Sequence, residues 1–127
     1  MKFLHSMIRV RNLEKALDFY TRLLGLKLTE ERRLDDCTLY FLTDEESGVQ
    51  VELTYNDETP EEGYVNGNAF GHFAFYCDNL DEFTNKVTSM GYEYLHEPFD
   101  LNGKGSKIAF IKDPDGNEIE LIEKVIW

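Results

Sequence analysis

Asp113-Pro-Asp-Gly-Asn-Glu-Ile-Glu-Leu-Ile-Glu123 is the stretch whose reading decides the fold. Asp-Pro-Asp-Gly is turn chemistry: Pro114 presets φ, and Gly116 supplies a left-handed residue from which a strand starts. Beyond the turn the residues alternate, Ile119 and Leu121 to one side, Glu118 and Glu120 to the other, as in a strand with one buried face. A nearly identical phrase occurs earlier, Gly48-Val-Gln-Val-Glu52-Leu53, with Glu-Leu again four residues after the glycine.

Working outward, the duplication extends over the whole chain. Phe3–Val10 is expected as a strand, and Asn12 caps an amphipathic helix over Leu13–Leu24 that stops at Gly25. Strands are expected at Lys27–Arg33, Thr38–Thr43 and Val49–Thr54. The acidic segment 57–68, with Pro60, Gly63 and Gly67, reads as a solvated linker. The pattern then restarts: a strand over Phe70–Tyr76, a helix capped by Asn79 running through Met90 to Gly91, and strands at Tyr92–Leu95, Lys107–Lys112 and Asn117–Glu123. His5/His72 and Asn12/Asn79 are 67 residues apart, Gly25/Gly91 66, and Gly48/Gly116 and Glu52/Glu120 68. The predicted class is α+β, a single domain over 1–127. Two tandem βαβββ units, about 1–56 and 69–127, form curved mixed sheets around a cleft.

One helix covers only one face of a four-stranded sheet, so the other face must meet its twin or a ligand. The aliphatics Val49, Val51, Leu53, Ile119 and Leu121 belong to the helix side. His5, Arg9, Gln50, Glu52, Thr54, His72, Tyr76, Glu118 and Glu120 fall on the opposite, concave side. His5 with Glu52 and His72 with Glu120 thus repeat as pairs on the first and last strands of each unit. Two neutral imidazoles and two carboxylates balance the charge of a divalent cation. An N2O2 set with two open positions suits Ni2+, Co2+ or Zn2+ better than Ca2+ or Mg2+, which take more oxygen ligands.

At these residues the chain resembles the vicinal oxygen chelate superfamily, and within it the glyoxalase I family. The resemblance rests on Leu4-His-Ser-Met-Ile-Arg-Val10, Asp18-Phe-Tyr20 through Leu24-Gly-Leu26, Val51-Glu-Leu-Thr-Tyr-Asn56, Gly71-His72, and Asp113 to Glu120. It implies His5, Glu52, His72 and Glu120 as metal ligands, with Glu120 the main catalytic base and Glu52 its counterpart. The implied reaction isomerises the hemithioacetal of methylglyoxal and glutathione to S-lactoylglutathione. Arg9 and Asn56 match positions that hold the thiol, and Lys104 is a second candidate anion contact. The chain has Asn68 where some members have Arg, which opens the possibility of another thiol. It lacks the added segments of zinc-preferring members, implying nickel or cobalt. A homodimer is implied, with the four ligands meeting either within one chain or between two.

Competing chemistries fit less well. A dioxygenase iron site needs two His and one carboxylate, and a thioester epimerase of this superfamily more typically carries Gln at the Glu52 position. A fosfomycin-type thiol transferase uses three ligands. A non-catalytic binding relative has no use for an intact quartet.

Composition bounds the partners. Thirteen basic against 25 acidic residues leave a net charge of −12, which argues against nucleic acid or an anionic membrane. No apolar run approaches a membrane span, and no signal-peptide pattern opens the chain. Cys37 and Cys77 stand alone and read as small buried groups in a reducing cytoplasm. His96 lies in Leu95-His-Glu-Pro98, a loop-like stretch off the repeat register, and reads as a surface histidine. Tyr20, Tyr40, Tyr55 and Tyr94 read as core or cleft wall, and Trp127 as terminal packing.

Overall fold

A computed structural model describes residues 1–124, so Trp127 lies outside the described residues. The chain divides into two compact units, the first ending at Val65 and the second starting at Asn66. The first contains β1 (His5–Arg9), α1 (Leu13–Leu17), β2 (Lys27–Arg33), β3 (Cys37–Thr43) and β4 (Gln50–Asn56). The second contains β5 (His72–Tyr76), α2 (Leu80–Ser89), β6 (Tyr94–Asp100), β7 (Lys107–Lys112) and β8 (Glu118–Ile122). Each is a four-stranded mixed sheet, in order β1-β4-β3-β2 and β5-β8-β7-β6, the first pair of each parallel and the others antiparallel.

Both helices begin as their caps dictate. Asn12 accepts from the Lys15 amide and Asn79 from the Glu82 amide, each at 3.0 Å, satisfying donors that a helix start leaves orphaned. Gly25 and Gly91, with φ 85° and 80°, end the helical segments in the left-handed region. Between these landmarks the units differ. Gly25 follows Asn12 by thirteen residues, but Gly91 follows Asn79 by twelve. The extra residue is absorbed where α1 widens into a π-helical turn over Asp18–Leu23, whereas α2 stays regular; accommodating one added residue is what such turns do. The widened turn still buries Phe19, Tyr20 and Leu23.

The helix-facing side of each sheet is apolar as the alternation requires: Val51 and Leu53 in the first unit, Ala109, Ile111, Ile119 and Leu121 in the second, all buried. Each fully buried Leu or Ile contributes about 1.5–3 kcal/mol. Val49 departs from expectation. It precedes β4 rather than joining it and is half-exposed, so it is no part of that face.

The last strand before the second unit's wide loop is longer than expected. β6 runs to Asp100 and includes His96 and Pro98, where a loop is expected from the sequence. Pro98 is tolerated because β6 is an edge strand with irregular register,. The acidic segment after β4 is pinned to the first unit. Arg33 grips Asp57 through both carboxylate oxygens at 2.6 Å, and Arg11 donates to the Glu61 carbonyl. Cys37 is buried and Cys77 half-buried, neither disulfide-bonded, and burial pushes both thiols up.

Candidate metal centre

The parallel pairing of each unit's first and last strands builds the site. His5 lies opposite Gln50 and His72 opposite Glu118, so in both units the glutamate is two residues further along the neighbouring strand, on the same face. His5 Nε2 lies 3.2 Å from Glu52 Oε1, and His72 Nε2 lies 3.3 Å from Glu120 Oε1. Donors at about 2.1 Å from a common ion, at right angles to each other, stand about 3 Å apart. Each pair, taken by itself, therefore has the spacing of two adjacent ligands of a divalent metal. Each unit gathers one imidazole and one carboxylate, and among the described residues no group of three or more His, Cys, Asp and Glu is gathered.

The surroundings of each pair follow from register. Phe41 lies opposite Glu52 and Phe110 opposite Glu120. Each ring meets the neighbouring histidine edge-on, 5.6 Å from His5 and 5.7 Å from His72 between centroids. Each ring has a second neighbour: the Arg32 guanidinium over Phe41 at 5.6 Å, and His96 edge-on to Phe110 at 5.7 Å. Neither phenylalanine was singled out from the sequence, because its place opposite the glutamate is visible only once strand register is known. His96 is exposed, as expected, though on a strand.

Glu52 is buried, with Thr54 buried beside it, and the Thr54 hydroxyl donates to Glu52 Oε2 at 2.9 Å. Glu120 is less enclosed: its side chain is 17% exposed against 10% for Glu52.

Of the three candidate thiol contacts, Arg9 and Asn56 share the face of His5 and Glu52 by strand alternation and stand at the far ends of the same two strands, β1 and β4. Arg9 pairs in register with Thr54, and Asn56 closes β4. The Asn56 side-chain amide donates to the Tyr64 hydroxyl at 2.9 Å, a partner the sequence reading missed. Lys104 is exposed in the loop between β6 and β7, where its amide donates to Asn102. Among the tyrosines held to be structural, Tyr20 is fully buried, and burial pushes the Tyr40 and Tyr94 phenols up, keeping them protonated.

Fold and paired His–Glu geometry define a class. Residues 2–121 match the family model of the Glyoxalase/Bleomycin resistance protein/Dioxygenase superfamily, and the chain belongs to that superfamily. Within it, the chain is similar to proteins named lactoylglutathione lyase. One from Neisseria meningitidis serogroup A is 41% identical over 98% of this chain and 91% of its own length. One from Escherichia coli O157:H7 is 39% identical over 98% and 93%. Among solved structures, glyoxalase I from Zea mays superposes with a TM-score of 0.85 at 35% identity, covering 97% of this chain. This chain spans only 44% of the maize chain. A trypanothione-dependent glyoxalase I from Leishmania major gives a TM-score of 0.78 at 33% identity, covering 96% of this chain and 86% of that one.

Proposed function

We propose that the chain is a metal-dependent lactoylglutathione lyase, converting the hemithioacetal of methylglyoxal and glutathione to S-lactoylglutathione. The observation that carries this is the repeated His–Glu pair, with donor atoms 3.2 and 3.3 Å apart at the same register in two sheets. His5, Glu52, His72 and Glu120 would hold the ion. When bound, the cation supplies Lewis acidity that makes a weakly acidic carbon acid ionisable near neutral pH. Glu120 takes the proton from the carbon bearing sulfur and returns it to the former ketone carbon, while the hydroxyl proton passes between the two oxygens. Atoms balance with no oxidant or reductant. Arg9, with Asn56 at the same strand ends, binds the thiol portion through a charge-assisted contact, and Lys104 supplies a second cation. The test is metal-dependent thioester formation followed by ultraviolet absorbance; an apo-protein that gains no activity with any of Ni2+, Co2+ or Zn2+ sinks the reading.

Ni2+ or Co2+ is the proposed activator over Zn2+, since two nitrogens and two oxygens with two remaining positions make a six-coordinate site. Zn2+ restoring the highest turnover to apo-protein would overturn that preference. The working form is a homodimer in the reducing cytoplasm, a location in keeping with two unbridged cysteines,. In that dimer the first unit's pair of one copy shares an ion with the second unit's pair of the other. Mixing an inactive H5A/E52A chain with an inactive H72A/E120A chain then regains activity, up to roughly a quarter of wild type by statistical assembly. A mixture as inactive as its parts would refute sharing between copies. Glutathione is the proposed thiol. The trypanothione-dependent relative and Asn68 make turnover with different thiol adducts the deciding comparison.

A further inference from the structure

The two glutamates are equivalent in register but differ in how firmly they are held. Glu52 Oε1 faces His5, and Glu52 Oε2 receives the Thr54 hydroxyl at 2.9 Å, both residues being buried. Both oxygens of that carboxylate are thus engaged, one by a side chain of the neighbouring strand β1 and one by a side chain two residues along β4 itself. At the matching position of the second unit, two residues beyond Glu120, stands Ile122. An aliphatic side chain has no proton to donate. The Glu120 carboxylate is also the more exposed of the two.

We infer that Thr54 is a positioning residue that fixes Glu52 as a static metal ligand. Ile122, by withholding a hydroxyl at the equivalent place, leaves Glu120 free to swing between metal and substrate. The inference deepens the proposed isomerase reading and rests on it: it explains why, of two carboxylates related by duplication, one holds and the other moves a proton. A charge-assisted hydrogen bond to a buried carboxylate is strong and directional. Groups of this kind, one step out from a ligand, typically change metal affinity 10- to 100-fold when removed. A base that must leave its resting position for each turnover gains nothing from such a tether.

The experiment moves the tether. In the full chain, Thr54→Val removes the hydroxyl and keeps the volume, and Thr54→Ser restores it. Ile122→Thr gives the second unit the missing hydroxyl, and Ile122→Val trims the side chain without adding one. Ni2+ affinity is measured by competition with a chromophoric chelator, and kcat and KM by thioester formation. T54V is expected to weaken Ni2+ binding about tenfold, with T54S recovering it. I122T is expected to keep or tighten Ni2+ binding while kcat falls about tenfold at unchanged KM, and I122V to fall clearly less. Unchanged Ni2+ affinity in T54V, or equal kcat loss in I122T and I122V, overturns the inference. Were the wild-type chain to lack isomerase activity, the proposed reaction would fall. The affinity arm would still decide whether Thr54 holds Glu52.

Discussion

Glu52 and Glu120 occupy matching places in two sheets of the same strand order, and their neighbours have diverged where divergence changes chemistry. The first unit gives its carboxylate a hydroxyl donor, and an arginine lies over Phe41. The second replaces the hydroxyl with Ile122 and the arginine with His96. Both units keep the spacing of imidazole and carboxylate that the proposed metal centre requires, and they differ in the side chains beside each carboxylate. The helices carry the same lesson for packing. One added residue widened the first into a π turn without exposing Phe19, Tyr20 or Leu23.

The largest effect that breaks the comparison is a matched pair of substitutions. Glu120→Gln is expected to lower kcat by about 10³-fold while bound Ni2+ stays near its wild-type stoichiometry, as loss of a general base does. Glu52→Gln is expected to lose metal first, with kcat recovering as Ni2+ is raised. Metal analysis beside turnover decides it. If both variants lose activity with metal retained, the carboxylates are interchangeable, and Thr54 has no division of labour to explain.

A smaller effect sharpens the comparison at the helix starts. Both caps accept at 3.0 Å, yet α2 has a second acceptor: Glu123 Oε2 takes the Leu80 amide at 2.8 Å. Two residues serve the second helix start where the first relies on Asn12. Asn12→Ala should cost about 1 kcal/mol of unfolding free energy in denaturant titration, and Asn79→Ala measurably less. Equal losses would mean that the Glu123 contact adds nothing to the cap.

Most of the architecture was legible because duplication lets each unit check the other. Asn12, Gly25, Asn79 and Gly91 bound the helices, and Gly48 and Gly116 open the approaches to the paired glutamate strands. His5/Glu52 and His72/Glu120 emerged from the same offsets and do pair within each unit. What was hidden depends on partners far apart in sequence. Phe41 and Phe110 acquire their place only through antiparallel register, and Tyr64 only because the acidic segment folds back onto Asn56. Pro98 misled because proline usually ends a strand, and an edge position removes that penalty. Thr54 against Ile122 was readable from the offset alone, but its meaning needed the hydrogen bond.

The smallest effect concerns the connections between the outer strands. β2 and β3 are joined by the three residues 34–36, β6 and β7 by the six residues 101–106 that carry Lys104. The longer loop is organised by one carboxylate. Asp100 accepts from the Gly105 amide at 3.0 Å and from the Gly103 amide at 2.8 Å, and these bonds, Gly105 foremost, hold its carboxyl below the usual carboxylate range. A carboxyl lowered on folding stabilises the folded loop fully above its ordinary pKa of about 3.9 and loses that contribution as pH falls through the lowered value. Hydrogen exchange at the Gly103 and Gly105 amides should therefore gain protection as the carboxyl ionises, once the intrinsic pH dependence is divided out. Asp100→Asn should loosen the loop at every pH. With Lys104 no longer presented, KM for the thiol adduct should rise two- to threefold, by roughly the weight of one exposed ionic contact, with kcat unchanged. Unaltered exchange in that variant would show that the loop is ordered by its glycines and not by Asp100.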